Sequence, residues 1–283
     1  MRFAVLGLGR MGRAFAARAL DRGHAVTVWN RSPGRAGELV GHGAVEAPSP
    51  GAAAREAECV LVVLADDAAV LDVCLGDDGA LAALAPGAVL AQVSTVSPAT
   101  ARALAAAGPP GRVLDAAVMG APAAIAAGEG RFLVGGPAPA IAAVAPLWDD
   151  LGAGLTHCGS SGAGATMKVV LNGLLITGVA ALAEAVATAR AQGISDDLLR
   201  TLLGHSPVVS AAATIRLDSV MRPDHPGWFS PALARKDVGL GLALARESGV
   251  GVRLGPATDA LLAAVIDSGV EWPDFAAVIE ALT

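Results

Sequence analysis

The chain contains no tyrosine, and aromatic residues of any kind make up only 3% of its 283 positions. A mechanism in which a tyrosine hydroxyl supplies the proton is therefore excluded. Metal and disulfide frameworks are also disfavoured. Three isolated cysteines, Cys59, Cys74 and Cys158, show no CxxC spacing and read as reduced, mostly buried thiols of a cytoplasmic protein. Five scattered histidines include no HxxxH pair, so no metal site is expected. The sequence opens on an apolar strand without a charged-then-apolar leader. Its most membrane-like run, residues 169–187, is interrupted by Asn172, Thr177 and Glu184, and reads as a buried helix. A net charge of −6 gives no electrostatic reason for a nucleic-acid or membrane partner. With 54% hydrophobic and 16% charged residues, the chain has core material and does not read as disordered.

Two other scarcities point to particular positions. Of 20 lysines and arginines together, only Lys168 and Lys236 are lysine, and the only asparagines are Asn30 and Asn172. The wealth of Ala, Gly and Arg indicates a gene depleted in A- and T-rich codons. In such a chain a solvated cationic position drifts to Arg. Lysine persists where a compact ammonium that can gain and lose a proton is needed. The alternative is chance, so the motifs must decide.

Short β-rich runs alternate with helical patterns through the first half. Strands are expected at 2–7, 25–29, 59–64 and 88–93, and less distinctly at 112–115, 131–135 and 154–157. Helices are expected at 11–22, 98–107 and 138–151. This alternation predicts an α/β unit with a mostly parallel, doubly wound sheet covered on both faces. After residue 158 the strand signal stops. The run 159–164 reads as a loop, followed by a long helix to Ala191 and further helices at 196–203, 231–247 and 257–267. The expected organisation is a dinucleotide-binding domain over 1–158 and an all-helical domain over 159–283 for substrate binding and oligomerisation.

Residues 3–12, Phe-Ala-Val-Leu-Gly-Leu-Gly-Arg-Met-Gly, place GxGxxG at Gly7, Gly9 and Gly12 directly between a strand and a helix. Glycine there allows the tight turn, close approach to a pyrophosphate and helix–strand packing, while the helix N-terminus supplies N–H donors. Leu8, Arg10 and Met11 complete the turn. The second strand runs into Trp29-Asn-Arg-Ser32. An NAD-binding chain usually carries Asp or Glu there for the ribose 2′-OH. Asn30 removes that charge, and Arg31 with Ser32 can clamp a 2′-phosphate, so NADP is the expected cofactor. The alternative for Arg31 is a solvated residue in an ordinary turn.

Gly164-Ala-Thr-Met-Lys168 opens the long helix, and Asn172 lies one turn further on the same face, about 6 Å along the axis. A partly buried lysine has a lowered pKa and can act as acid or base near neutrality. Asn172 can orient the substrate or the lysine, and Gly162 and Gly164 are read as leaving space for a ligand. The alternative is a lysine whose stem runs along the core, with Asn172 bonding a neighbouring loop.

On these pieces, together with Ser94-Thr-Val-Ser-Pro98, Asp115-Ala-Ala-Val-Met-Gly120 and Lys236-Asp237, the sequence resembles the β-hydroxyacid dehydrogenase family over essentially its whole length. That family includes 3-hydroxyisobutyrate dehydrogenases and glyoxylate/succinic semialdehyde reductases. The resemblance implies an acid/base role for Lys168 and a substrate contact from Asn172. It sets Leu64, Ala65 and Thr95 beside the nicotinamide half of NADP. Lys236 would close over the cofactor, with Asp237 fixing its loop on the substrate side.

Two positions depart from the family. Its substrate loop usually reads Asp-Ala-Pro-Val-Ser-Gly-Gly; here Met119 removes a hydroxyl and Ala121 restricts the backbone, on either side of Gly120. A less polar carbonyl then becomes plausible beside a small hydroxy acid or aldehyde acid. Ala65 stands where the family commonly has Pro. The main rival is an imine reductase of the same architecture, which the Met119 loop favours and the intact Lys168 opposes. A non-catalytic NADP-binding sensor is the other rival. The apolar long helix suggests a homodimer or larger homo-oligomer. Trp228 and Phe229 are divided between pocket and core, and His205 and His225 are unassigned.

Overall fold

The computed structural model describes residues 1–282. Eight strands form one sheet: β1 (Arg2–Leu6), β2 (Ala25–Trp29), β3 (Val45–Glu46), β4 (Cys59–Val62), β5 (Val89–Gln92), β6 (Val113–Met119), β7 (Arg131–Gly135) and β8 (Leu155–Gly159). Their order is β3-β2-β1-β4-β5-β6-β7-β8, and only the β6–β7 pair is antiparallel. The chain steps outward from β1 to β3 on one side, then from β4 to β8 on the other. The strand order therefore reverses between β1 and β4, and the crevice beyond their carboxyl ends is where such sheets bind ligands.

Both sheet faces are covered, because successive side chains of each strand point to opposite sides. Phe3, Val5, Leu61 and Val89 enter one core with Phe15 and Phe132; Ala4, Leu6, Val60 and Leu90 enter the other with Val70 and Leu104. The helix Pro98–Ala107 matches its expected span. Ser97 caps it by accepting from the Thr100 N–H, Pro98 occupies its first turn, and Gly108 follows its end.

Two expectations for this half are corrected. The span 138–151 is not one helix but two, Ala138–Ala143 and Ala145–Leu151, parted at Val144 with φ −117° and ψ 19°. Pro146 has no N–H to donate to the preceding turn, so the ladder cannot run through. The strand expected at 112–115 instead extends to Met119, since Asp115–Met119 pair with Gly135–Arg131 of β7. Most of the supposed substrate loop is therefore strand.

The backbone divides into two compact units, Met1–Lys168 and Val169–Thr283. The division falls within the 29-residue helix Ala163–Ala191. The helix is long and apolar enough, by length and composition, to cross a membrane. Buried Val169, Asn172, Ile176, Val179, Ala183 and Val186 follow one another at helical spacings of three and four, forming a stripe on one face. From Ile176 onward the apolar members of this stripe join the core of the second unit with Leu199, Val220, Val238, Leu262 and Phe275. Among the described residues, the second unit contains helices and no strand. Its core encloses Arg216, whose Nε donates to Asp274 at 3.3 Å and whose guanidinium lies over the Trp228 and Phe275 rings. Asp274 also accepts the Trp228 and Phe229 amides, and this pair of aromatics packs at the second unit's core, with Phe229 buried and Trp228 half-buried.

Candidate cofactor and catalytic site

The three glycines after β1 do different things. Gly7 has φ +100°, and a Cβ there would strike the Val63 carbonyl; a Cβ on Gly12 would strike the carbonyl of Gly7. Those two positions are closed by packing. At Gly9, by contrast, nothing beyond the adjoining chain lies within 4 Å of where a Cβ would sit. Gly9 also precedes the helix Arg10–Asp21, whose N-terminus receives no side-chain cap. A helix N-terminus beside an open glycine fits a pyrophosphate.

Asn30, at the end of β2, binds this turn to the next. Its Oδ1 accepts from the Leu8 N–H at 2.9 Å, and its Nδ2 donates to the Ser32 carbonyl at 2.9 Å. Both ends of the carboxamide are thus engaged within the protein. Arg31 and Ser32 are exposed, and the Arg31 side chain makes no ion pair or hydrogen bond among the described residues. No carboxylate occurs in residues 30–35, so an anion meets no repulsion within this turn.

At the ends of β4 and β5, the Leu64 N–H donates to Ser94 Oγ at 2.8 Å, and Ser94 Oγ donates to the Val62 carbonyl at 3.2 Å. This sets the half-buried Leu64 and exposed Ala65 alongside the half-buried Thr95.

Asp115 on β6 is buried, and its carboxylate accepts the Gly162 and Ala165 amides at 2.8 Å each. It therefore caps the long helix from a distant strand, doing the job that a local Ser or Asp usually does. This corrects the reading of the glycines around it. A Cβ on Gly164 would meet the Leu133 carbonyl, the Gly135 amide and Asp115, while one on Gly162 would meet Arg102. Their bareness admits protein, not ligand. At the other end of β6, Met119 is 40% exposed, Gly120 takes φ +141°, and Ala121 is extended at φ −79°. The one left-handed position is met by glycine, and alanine fits its own conformation.

Lys168 is half-buried in the second turn of the long helix, and Asn172 follows one turn later on the buried stripe. A polar group on such a stripe needs a partner. Asn172 Nδ2 donates to Asp237 Oδ2 at 2.6 Å, and Asp237 is itself buried. Lys236 Nζ lies 2.8 Å from the other oxygen, Oδ1, at ion-pair distance but without hydrogen-bond alignment. Lys236 and Asp237 sit within the helix Pro231–Glu247, not on a loop, so the expected loop-fixing role of Asp237 is replaced by a grip on Asn172. The sequence reading missed this partnership, although a lone polar residue on each of two apolar stripes was a usable signal.

Among the described residues, His205 bonds only its own helix, through the Thr201 carbonyl. His225 is buried, with one ring nitrogen on the Ser219 carbonyl and the other on Glu280. Among the described residues no cluster of three or more His, Cys, Asp or Glu could hold a metal.

A doubly wound sheet with an open, uncapped glycine turn defines a dinucleotide-binding protein, and the comparisons specify which kind. Residues 2–159 match the NAD binding domain of 6-phosphogluconate dehydrogenase. Residues 162–282 match the NAD-binding domain of NADP-dependent 3-hydroxyisobutyrate dehydrogenase. The chain is 36% identical to a 3-hydroxyisobutyrate dehydrogenase of Pseudomonas aeruginosa, covering 97% of this chain and 96% of the relative. It is 32% identical to the NAD-dependent L-serine dehydrogenase of the same organism, covering 97% and 95%. Among solved structures, the Mycobacterium tuberculosis 3-hydroxyisobutyrate dehydrogenase with L-serine superposes with TM-score 0.86 at 29% identity, covering 99% of this chain and 98% of that one. A Streptomyces aurantiacus imine reductase gives TM-score 0.65 at 27% identity, with all of both chains covered. The chain belongs to the β-hydroxyacid dehydrogenase family and is an NAD(P)-dependent oxidoreductase of the hydroxyacid dehydrogenase type.

Proposed function

We infer that the protein is an NADP-dependent enzyme moving a hydride between nicotinamide and a small hydroxy acid, aldehyde acid or related carbonyl, with Lys168 as general acid/base. The observation that carries the cofactor choice is the exposed Arg31–Ser32 turn, free of carboxylates and tied through Asn30 to the open glycine turn. Arg31 binds the 2′-phosphate as a guanidinium fork and Ser32 adds a hydroxyl donor. The helix end after Gly9 binds the pyrophosphate, with Leu8, Arg10 and Met11 lining the same turn. Leu64, Ala65 and Thr95 flank the nicotinamide, which supplies or accepts the hydride when bound. In the reducing direction Lys168 donates a proton to the carbonyl oxygen as negative charge develops there. Asn172, held by Asp237, orients the substrate without adding charge.

Met119, exposed where the family's serine stands, favours a second reading, reduction of an imine carbon. Gly120 and Ala121 still offer backbone N–H groups to a carboxylate. Exposed Met167, Val170 and Leu174 on the long helix support a homodimer, and the three free thiols suit a reducing cytoplasm.

The test is oxidation of NADPH and of NADH by purified protein against small aldehyde acids, α-keto acids, neutral carbonyls and cyclic imines. Turnover of aldehyde acids with a preference for NADPH is expected. Turnover of cyclic imines alone promotes the second reading, and a preference for NADH removes Arg31 and Ser32 from cofactor choice.

A further inference from the structure

The short loop carrying Thr95 is anchored at both ends to the turn that follows β4. At its start stands buried Ser94, with Oγ between the Leu64 amide and the Val62 carbonyl and its own carbonyl accepting from Gln92 Nε2 at 2.9 Å. At its end stands Ser97, whose N–H and Oγ donate to Asp67 Oδ1 at 3.0 and 2.6 Å. Thr100 Oγ1 donates to the same oxygen at 2.6 Å. Thr95 and Val96 lie between these anchors, and Val96 is fully buried. Between the two anchoring serines, Thr95 is the partly exposed side chain.

Asp67 opens its own helix but is not that helix's side-chain cap. The helix Asp67–Leu75 is already capped by Asp66, which accepts from the Ala69 amide at 2.8 Å. Asp67 directs an oxygen across to the neighbouring strand's loop instead. Three donors converging on a single oxygen fix a point in space far more tightly than one bond does. We propose that Asp67 is a positioning residue of the reaction: its Oδ1 clamps the Thr95–Ser97 loop against the Leu64–Ala65 turn and so sets where the nicotinamide half of the cofactor lies. This rests on the reading of those two segments as the nicotinamide side. The three bonds converge on one oxygen, so the clamp requires an acceptor at that point.

The test uses the full-length chain with Asp67→Ala, Asp67→Asn and Thr100→Val. Three quantities are read: NADPH bound per chain, the fluorescence emission of bound NADPH, and turnover per bound cofactor. Asp67→Ala is expected to bind NADPH at wild-type stoichiometry, with altered nicotinamide emission and turnover lowered about 10- to 100-fold, the scale of a small misplacement. Asp67→Asn, whose carbonyl oxygen can accept all three bonds, restores most of both. Thr100→Val, which loses one bond of the three, falls between. Wild-type emission and turnover in Asp67→Ala overturns the proposal, as does an Asn variant as impaired as the Ala variant. Loss of binding stoichiometry in Asp67→Ala assigns the residue to folding and also overturns it, unless Thr100→Val shows the altered emission at full stoichiometry. If the wild type binds NADPH but reduces no carbonyl or imine, the functional reading fails separately, and the emission arm still decides the clamp.

Discussion

Replacing Asp115 by Ala removes the distant cap of the long helix, and its cost can be worked out from the bonds. Two backbone amides, those of Gly162 and Ala165, lose a carboxylate acceptor at 2.8 Å each. Bonds to a charged group contribute roughly 1.5–3 kcal/mol apiece. Water has poor access to the vacated place, because Gly135 and Gly164 pack against the carboxylate. The expected loss is therefore about 3–6 kcal/mol, or a fall in Tm of very roughly 6–24 °C for a unit of this size. Asp115→Asn keeps one acceptor but turns an NH2 toward the other amide, and loses about half as much or somewhat more. Urea unfolding measures the loss, and amide exchange at Gly162 and Ala165 locates it. Activity should fall beyond the loss of folded protein, since Lys168 is in the helical turn directly after Ala165. A change below about 1 kcal/mol with unaltered exchange at Gly162 would refute the capping argument, because that is less than one such bond.

Lys168→Ala should bind NADPH nearly as the wild type does while turnover falls ~10²–10⁴-fold, the usual contribution of acid–base help; an unchanged rate removes Lys168 from the mechanism. Burial pushes the Cys59 and Cys74 thiols up to about 12, so neither should react with iodoacetamide at pH 8 until denaturant is added. Peptide mapping of the alkylated protein checks this, and labelling of either in the folded state contradicts it. The Arg22 hydrogen bond holds the Asp150 carboxyl below its ordinary value against the opposing effect of burial, and His24 adds to the lowering. Its contribution is thus fully present above the ordinary carboxylate range, near 4, and is lost as pH falls through the lower folded value. The stability gap between wild type and Asp150→Asn in urea should close as pH falls below about 4; a gap that widens there contradicts this.

Seven of the eight strands were legible because they are short runs between helices, while the two-residue β3 (Val45–Glu46) was not; the glycine turn was legible because it sits where a strand gives way to a helix. Local chemistry also marked the helix from Pro98, with Ser before it and Gly after it. What escaped was set by partners far away in sequence. The extension of β6 to Met119 depends on β7 pairing back against it. The roles of Asp115 and Asp237 depend on amides and an amide side chain 47 to 65 residues distant, which no window of neighbouring residues displays. Gly162 and Gly164 were misread for the same reason: a bare position in sequence does not tell whether ligand or protein fills it. The scarcity of asparagine pointed to Asn30 and Asn172, but not to the fact that both hold internal bonds.

The double bond of Asn30 has a consequence for how such an enzyme can change over generations. One carboxamide carries a tie to the Leu8 amide on one side and to the Ser32 carbonyl on the other. A carboxylate in its place would still accept from Leu8 but would face the Ser32 carbonyl with no hydrogen to offer. The single codon step from Asn to Asp, which alone would recruit a ribose hydroxyl, thereby loosens the segment that must hold the new partner. On the proposed NADP reading, selectivity between the two dinucleotides is guarded by backbone bonding as well as by charge, and lineages that cross from one to the other should carry compensating substitutions in residues 31–35 alongside position 30.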